Sequence, residues 1–283
     1  MASKSIIPDL VAAASNRRSF VRKLSIASAT AGAAFMVGSD KLEAAAGHPN
    51  DVDILNFALN LEYLEAEFYT IATSGKNIGQ PPYNIDTYGV GEHDFAYGGS
   101  QVSFSVVSGI DVGAIADEIA QDERDHVVLL RSALGKAAIA QPKIQLDALG
   151  FGFANQNDFL KLARIFEDIG VSAYGGAAPL ISSKKILGYA ARILATEAEH
   201  TGNLRLAVAA IGVPTTKMDS VDIIPPPSGT DYFSVDPKTG LTAIRTPGQV
   251  LYLAFGGVGN ARSGGFFPNG VNGYFVESSP SAA

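Results

Sequence analysis

The stretches that decide the fold are Asp122-Glu123-Arg124-Asp125-His126 and Thr196-Glu197-Ala198-Glu199-His200. In each stretch a Glu precedes a His by three residues. On an α-helix this spacing places both side chains on one face, one turn apart, where they can reach the same metal ion. Two such helices, with one further Glu from each of two other helices, supply the ligands of a carboxylate-bridged two-metal site in a four-helix bundle.

Two other helical stretches offer the additional carboxylates. Residues 52–73 carry apolar side chains at helical spacing, and Glu62 and Glu65 both lie inside that apolar stripe. Glu167 lies in a similar stripe further along the chain. An ionised carboxylate on an apolar face is costly unless a charge partner or a metal ion meets it. These three residues are therefore candidate metal ligands, with Glu62 and Glu65 as alternatives on the first helix.

The sequence as a whole predicts an all-α fold built on a four-helix bundle. Its helices are predicted from Val52 to Thr73, from Asp111 or Val112 to about Leu134, from near Asn155 or Asn157 through Tyr174, and from Ser182 or Ser183 to Ile211. Glu62 and Tyr69 on the first helix match Glu167 and Tyr174 on the third, and the second and fourth helices match through their Glu and His pairs. Two helical hairpins of one design are what a two-fold-like bundle around two metals requires.

The N-terminal 46 residues are predicted to be an export signal. Paired Arg17 and Arg18 precede Phe20, and the apolar run from Leu24 to Gly38 that follows is too short for a good membrane span. The small residues Ala44-Ala45-Ala46 form a cleavage pattern. This arrangement resembles a twin-arginine signal, and it predicts an exported protein of the periplasm or cell envelope without a transmembrane span in its mature form.

Two regions surround the bundle, which is assigned to residues 47–212. Residues 75–111 form a long insertion between the first two helices, with a loose strand pattern at 101–110. Residues 213–283 form an irregular extension rich in Gly and Pro, with a predicted hairpin over 232–244 and a short helix over 250–255. The apolar character of this extension leads us to expect packing on the bundle or on a second subunit, and hence a homodimer.

Composition excludes several classes of function. The net charge of −7 argues against nucleic acid as a partner, because nucleic acid attracts basic surfaces. The sequence contains no Cys, which excludes disulfides, thiolate metal sites and iron–sulfur clusters. His and carboxylate ligands suit iron or manganese, so two ions of either metal are the expected cofactor.

The chain resembles the ferritin-like domain proteins, and within them the branch of plant and bacterial desiccation-related proteins. The resemblance is carried by Asp53-Ile54-Leu55-Asn56-Phe57-Ala58-Leu59-Asn60-Leu61-Glu62-Tyr63-Leu64-Glu65-Ala66-Glu67-Phe68-Tyr69, by both Glu-x-x-His helices and by Gly264-Gly265-Phe266-Phe267-Pro268-Asn269-Gly270-Val271-Asn272-Gly273. It implies that Glu123 and Glu197 bridge two metals, that His126 and His200 each bind one, and that Glu62 and Glu167 are terminal carboxylates.

The same resemblance implies a role for two tyrosines. In the resembled pattern, the Tyr seven residues after the lone Glu hydrogen-bonds the lone Glu of the other hairpin, and Tyr69 and Tyr174 keep that spacing. We assign both to the catalytic site, and the spacing favours Glu62 over Glu65 as the ligand. Asp122 is a candidate hydrogen-bond partner for His200, with a solvated helix acid as the alternative.

Two functions follow as hypotheses. In the first, the protein is a redox enzyme, ferroxidase-like or manganese-catalase-like, whose metals act on peroxide, dioxygen or metal ions during desiccation or oxidative stress. In the second, it is a non-enzymatic structural or interaction protein of the envelope that uses metal only to stabilise its bundle. A metal-free bundle is the least favoured alternative, since four buried negative charges repel one another without a cation.

Overall fold

A computed structural model describes residues 49–282, so the proposed signal segment 1–46 lies outside the described residues. The predicted all-α fold is confirmed. The helices described within this range are α1 Asp51–Ser74, α2 Val112–Leu134, α3 Gln156–Ala177, α4 Lys184–Ile211 and α5 Pro247–Ala254, with 3₁₀ turns at Gly135–Ala137 and Ala178–Leu180.

Local side chains fix where the helices begin and end. At the start of α1 the Asn50 side chain accepts hydrogen bonds from the backbone of Val52 and Asp53, and the Asp53 carboxylate accepts one from the Asn50 N–H. Gly75 ends α1 in the left-handed conformation, with φ 72°. Short polar residues also cap the other four helices: Asp111, Asn155, Ser183 and Thr246.

The four long helices pack as two hairpins. Helix α1 lies along α2 and α3 lies along α4, while contacts of α1 with α3 and of α2 with α4 join the hairpins. In the bundle interior the ring of Phe68 stacks on Phe159 with centroids 5.2 Å apart and packs edge to face with Phe166 at 5.1 Å. The bundle interior therefore combines an aromatic core with the acidic and imidazole side chains of the candidate site.

Short strands tie the long connections together. Strand β1 (Ala96–Tyr97), in the insertion between α1 and α2, pairs in parallel with β4 (Ile144–Gln145), in the crossover between α2 and α3. Strands β2 (Val106–Val107) and β3 (Ile110–Asp111) pair antiparallel just before α2. The alternating pattern at 101–110 predicts one loose strand, but the chain reverses between β2 and β3.

The cause of that reversal is local. Ser108 and Gly109 both adopt positive φ, at 54° and 78°. Two consecutive residues with positive φ are typical of the tight turns that join antiparallel strands. The alternating apolar pattern was therefore split by a turn.

The insertion, the crossover and the C-terminal extension together cover a polar face of α1 that was not predicted from the sequence. Asn56 bonds to Ala137 and Ile139, and Asn60 exchanges hydrogen bonds with Asn272. Two further buried polar residues lie on this face. The Tyr63 hydroxyl donates a hydrogen bond to the carbonyl of Ile139, and the Glu67 carboxylate accepts hydrogen bonds from Gln141 and Ile78. Successive residues of this set are four, three and four positions apart, which places all four side chains on one side of α1. This helical spacing of polar residues is the signal in the sequence from which a covered face could have been predicted.

Buried arginines fasten the extension to α3 and α4. Arg164 on α3 pairs with Asp222 of the extension at 2.8 Å, and Arg205 on α4 donates to the carbonyl of Tyr232. The predicted hairpin over 232–244 is reduced to a bridge between Val235 and Thr242. No helix in the described part of the chain is long and apolar enough to cross a membrane.

Candidate metal centre

All six predicted ligands lie in the middle of the bundle. Helix α1 supplies Glu62, α3 supplies Glu167, and α2 and α4 each supply one Glu and one His. The four carboxylates, Glu62, Glu123, Glu167 and Glu197, have no solvent exposure, and His126 and His200 are 7% and 6% exposed. Four helices thus converge on one buried cluster of acids and imidazoles.

The cluster divides into two groups that share two members. One group is Glu62, Glu123, His126 and Glu197, and the other is Glu123, Glu167, Glu197 and His200. Within each group, one candidate ligand atom from every residue lies within 4.8 Å of the others. Glu123 and Glu197 belong to both groups, which is the arrangement expected of two carboxylates that bridge a pair of metal ions.

Glu123 lies between the two imidazoles. Its Oε2 is 3.2 Å from Nδ1 of His126, while its Oε1 is 3.2 Å from Nδ1 of His200. Each histidine also contacts the lone Glu of its own half: His126 Nδ1 is 3.2 Å from Glu62 Oε2, and His200 Nδ1 is 3.1 Å from Glu167 Oε2. The two halves therefore have the same internal design.

The outer surroundings of the two histidines differ. Nε2 of His200 lies 3.1 Å from Oδ2 of Asp122, so the predicted contact between these residues is present. At the equivalent position on α4, the hydroxyl of Thr196 instead donates to the carbonyl of Arg192. A carboxylate that hydrogen-bonds the second nitrogen of a ligating imidazole fixes the orientation of the ring and raises its basicity. Asp122 is placed to do this for His200, whereas Thr196 occupies the equivalent position in the His126 half.

The two tyrosines also differ in what they contact. The Tyr174 hydroxyl donates a hydrogen bond to Oε1 of Glu62 across the bundle. Burial raises the pKa of the Tyr69 hydroxyl, and the nearby Glu167 carboxylate raises it further. Among the described residues, this hydroxyl has no partner with full hydrogen-bond geometry. Glu65 lies outside both four-residue groups.

Comparison with known proteins agrees with this architecture. The family model described as "Ferritin-like domain" matches residues 50–210, which span all four bundle helices. The chain belongs to the ferritin-like domain family. The desiccation-related protein PCC13-62 of Craterostigma plantagineum is 26% identical over 175 residues, which are 55% of this chain and 52% of that protein. The match thus spans about half the length of the curated relative.

The electrostatics of this ferritin-like site differ strongly from those of exposed side chains. Burial opposes the charge on both imidazoles, but the adjoining Glu carboxylates outweigh it and raise the pKa of His126 and of His200 to about 12. Burial also raises the pKa of Glu62 to about 7 and that of Glu197 well above the ordinary value. Glu123 is the exception: although burial would raise its pKa, the two imidazoles lower it.

Several buried carboxylate oxygens of the candidate ligands lack a hydrogen-bond partner in the described part of the chain, which shows whether a cation fits among them. Within residues 49–282, both oxygens of Glu197 and Oε1 of Glu167 are buried without a hydrogen-bond partner, and Oε1 of Glu123 has only the ion-pair contact with Nδ1 of His200. Buried polar atoms are nearly always satisfied, so such a concentration at one place calls for an explanation. Hard oxygen donors with imidazole nitrogens suit iron or manganese, and the donor set therefore fits a pair of such ions.

Gly170 is a feature of the site whose role only the structure defines. A Cβ atom at this position of α3 would lie 2.3 Å from Oε2 of Glu197 and 3.5 Å from Oε1 of Glu65. Since contacts under 3 Å to a real Cβ essentially do not occur, the Glu197 carboxylate occupies space that any other residue would fill. A Gly inside a helix is predicted from the sequence to weaken it or to allow a close approach, and here the group that approaches is the Glu197 carboxylate.

Proposed function

We propose that this protein holds two iron or manganese ions and uses them to act on peroxide or dioxygen. The observation that supports the pair is the sharing of Glu123 and Glu197 by two four-residue groups, with the two oxygens of Glu123 facing different histidines. When bound, two adjacent metals of this kind supply coupled changes of oxidation state and Lewis acidity. The chemistry is thus an oxidoreductase reaction on a small oxidant.

The residues of the chain hold and shield the ions. Glu123 and Glu197 would bridge them, Glu62 with His126 would complete one half, and Glu167 with His200 the other. Tyr174 orients Glu62 through its hydroxyl, and Asp122 orients His200 through Nε2. Complete burial of the carboxylates keeps bulk water away, which strengthens their attraction for a cation.

The decisive experiment compares ligand and control variants on one helix. The purified chain is stripped, reloaded with Fe²⁺ or Mn²⁺, and measured for bound metal and peroxide decay. We expect two ions per chain, and we expect Glu197→Ala to lose metal and turnover while remaining helical. Glu199→Ala is the matched control, because Glu199 lies two residues away on α4 with an exposed side chain. A single ion per chain, or full metal binding by Glu197→Ala, contradicts the proposal.

A structural role for the metals is the second candidate function. Its supporting observation is that the six residues come from all four long helices, so bound ions would cross-link both hairpins. In that case the loaded protein melts at a higher temperature than the stripped protein but does not consume peroxide or oxidise Fe²⁺. Turnover of either substrate by the loaded protein decides in favour of the redox function.

The biological setting is also a proposal. The similarity to a protein named for desiccation supports a role in desiccation or oxidative stress, and the twin-arginine pattern supports export to the periplasm or envelope. Replacement of Arg17 and Arg18 by Lys should retain the chain in the cytoplasm of a bacterial host, as cell fractionation would show. We further propose a homodimer, which a monomeric mass in light scattering at micromolar concentration would rule out.

A further inference from the structure

An apolar pocket lies beside the metal centre, between the bundle and the C-terminal extension. Its volume is about 240 Å³. Helices α1, α3 and α5 and the extension line it mainly with aliphatic and aromatic side chains, among them Leu61, Leu64, Ile165, Ile169, Leu253 and Phe266. A water-filled space with such walls is unfavourable, so the pocket is suited to an apolar ligand.

The pocket runs from the protein surface to the edge of the metal centre. At its mouth Lys217 is exposed and Leu149 is 37% exposed. At its inner wall lie Glu65 and Gly170, both buried, with the Glu197 carboxylate directly against Gly170. A ligand that fills the pocket therefore has one end near solvent and one end next to a proposed bridging carboxylate.

The size of the pocket sets the length of the ligand. Since a cavity of about 150 Å³ lined by aliphatic and aromatic side chains holds benzene, a cavity of this volume holds an apolar group of about ten carbon atoms. The lining favours a hydrocarbon portion over a sugar or a nucleotide, because it offers few polar partners along its length.

The positive charge of Lys217 at the mouth of the pocket determines which polar group the ligand carries. Lys217 is the basic residue of the lining, and it makes no ion pair within residues 49–282. Its ammonium group carries three hydrogen-bond donors that an anionic head group can accept. We propose that the pocket binds a medium-chain fatty acid, with the alkyl chain along Leu61, Ile169 and Leu253 and the carboxylate at Lys217.

None of the six proposed metal ligands lines the pocket, so we expect binding at this site without metal. It is therefore tested on the stripped full-length chain, so that its outcome is independent of the proposed redox function. Decanoate is titrated into the protein in a calorimeter, and decan-1-ol serves as the uncharged probe. We expect one saturable site per chain for decanoate.

Pocket and control variants locate the site. Leu253→Trp fills the pocket from α5 and should abolish binding, whereas Val128→Trp, at an exposed position of α2 outside the lining, should leave it unchanged. Ile169→Trp is the second filling variant if Leu253→Trp does not fold, as judged by circular dichroism. Absence of saturable binding, or wild-type affinity in a folded filling variant, overturns the proposal.

A second pair of variants tests the carboxylate. Lys217→Gln should weaken decanoate by a factor of about 2 to 5, the range of an exposed ion pair, and leave decan-1-ol unaffected. Lys136→Gln, at an exposed position away from the lining, is the matched control. Equal decanoate affinity in Lys217→Gln and the wild type overturns the assignment of an anionic ligand.

Discussion

Gly170 on α3 lies directly against the carboxylate of Glu197 on α4, so close that a Cβ atom would stand 2.3 Å from Oε2. We predict that Gly170→Ala displaces this carboxylate and weakens metal binding by about 10- to 100-fold, the range seen when groups that support ligands are removed. The metal-free fold should change little in stability, because Ala is the better helix former and the displaced atom is the end of a flexible side chain. Competition with a coloured chelator measures the affinity, and thermal melting of the stripped protein measures the stability.

Gly188→Ala is the control for that substitution. Gly188 lies on α4, and a Cβ atom there would meet no atom of residues 49–282 within 4 Å. It should gain helix stability and keep wild-type metal affinity. If both variants bind metal like the wild type, the carboxylate of Glu197 is not held in the position that ligation needs.

The two tyrosines of the site should contribute unequally. Tyr174→Phe removes a hydrogen bond to the Glu62 carboxylate and should lower metal affinity in the His126 half by about tenfold. Tyr69→Phe should have a smaller effect, because the Tyr69 hydroxyl has no partner with full hydrogen-bond geometry in the described chain. Stepwise titration with Mn²⁺, followed by paramagnetic resonance, separates the two halves. A larger loss in Tyr69→Phe would contradict the asymmetry.

Glu67 should make the stability of the stripped protein depend on pH. Burial raises the pKa of Glu67 from 4.5 to about 7, although Gln141, Ile78 and Asn77 donate hydrogen bonds to it. A raised carboxyl pKa means that the folded state binds the proton more tightly than the unfolded state. The contribution of the Glu67 carboxyl to the stability of the fold is therefore complete below pH 4.5 and is lost as the pH rises to about 7.

The stability of Glu67→Gln, which cannot ionise, provides the reference for this effect. The free energy of unfolding of the wild type should fall relative to the variant by as much as about 3 kcal/mol between those pH values. Urea unfolding at a series of pH values measures the difference. Glu118→Gln, at an exposed position of α2, is the control and should show little change. A difference that grows in favour of the wild type with rising pH would show that the hydrogen bonds outweigh burial.

The buried pair of Arg164 and Asp222 should be important for stability. Arg164 has no solvent exposure and Asp222 is 2% exposed. Asp222→Ala therefore leaves a buried guanidinium with a longer ion pair to Asp168 at 3.3 Å and a hydrogen bond to the carbonyl of Thr216 at 2.9 Å. We expect a loss of about 3 kcal/mol in urea unfolding. Asp158→Ala breaks a partly exposed pair with Lys161 and should cost at most about 1 kcal/mol. Equal costs would mean that the extension does not depend on this pair.

The sequence alone was sufficient for the bundle and for the identity of the candidate ligands. A Glu three residues before a His, repeated on two helices, encodes its own geometry, because helical spacing fixes which side chains share a face. The capping residues Asn50 and Ser183 likewise act within one turn of the chain. Such features depend on neighbours in sequence, and for that reason they could be predicted from it.

The tertiary structure decided what depends on residues far apart in the chain. It brings Tyr174 to Glu62, the ligand that the spacing favours, and places Glu65 in the wall of the apolar pocket. It also gave Gly170 a role, since the space beside its Cα is filled by Glu197 from another helix. A burial pattern shows which face of a helix is covered, whereas the residue that covers it is fixed only when the helices and the extension pack together.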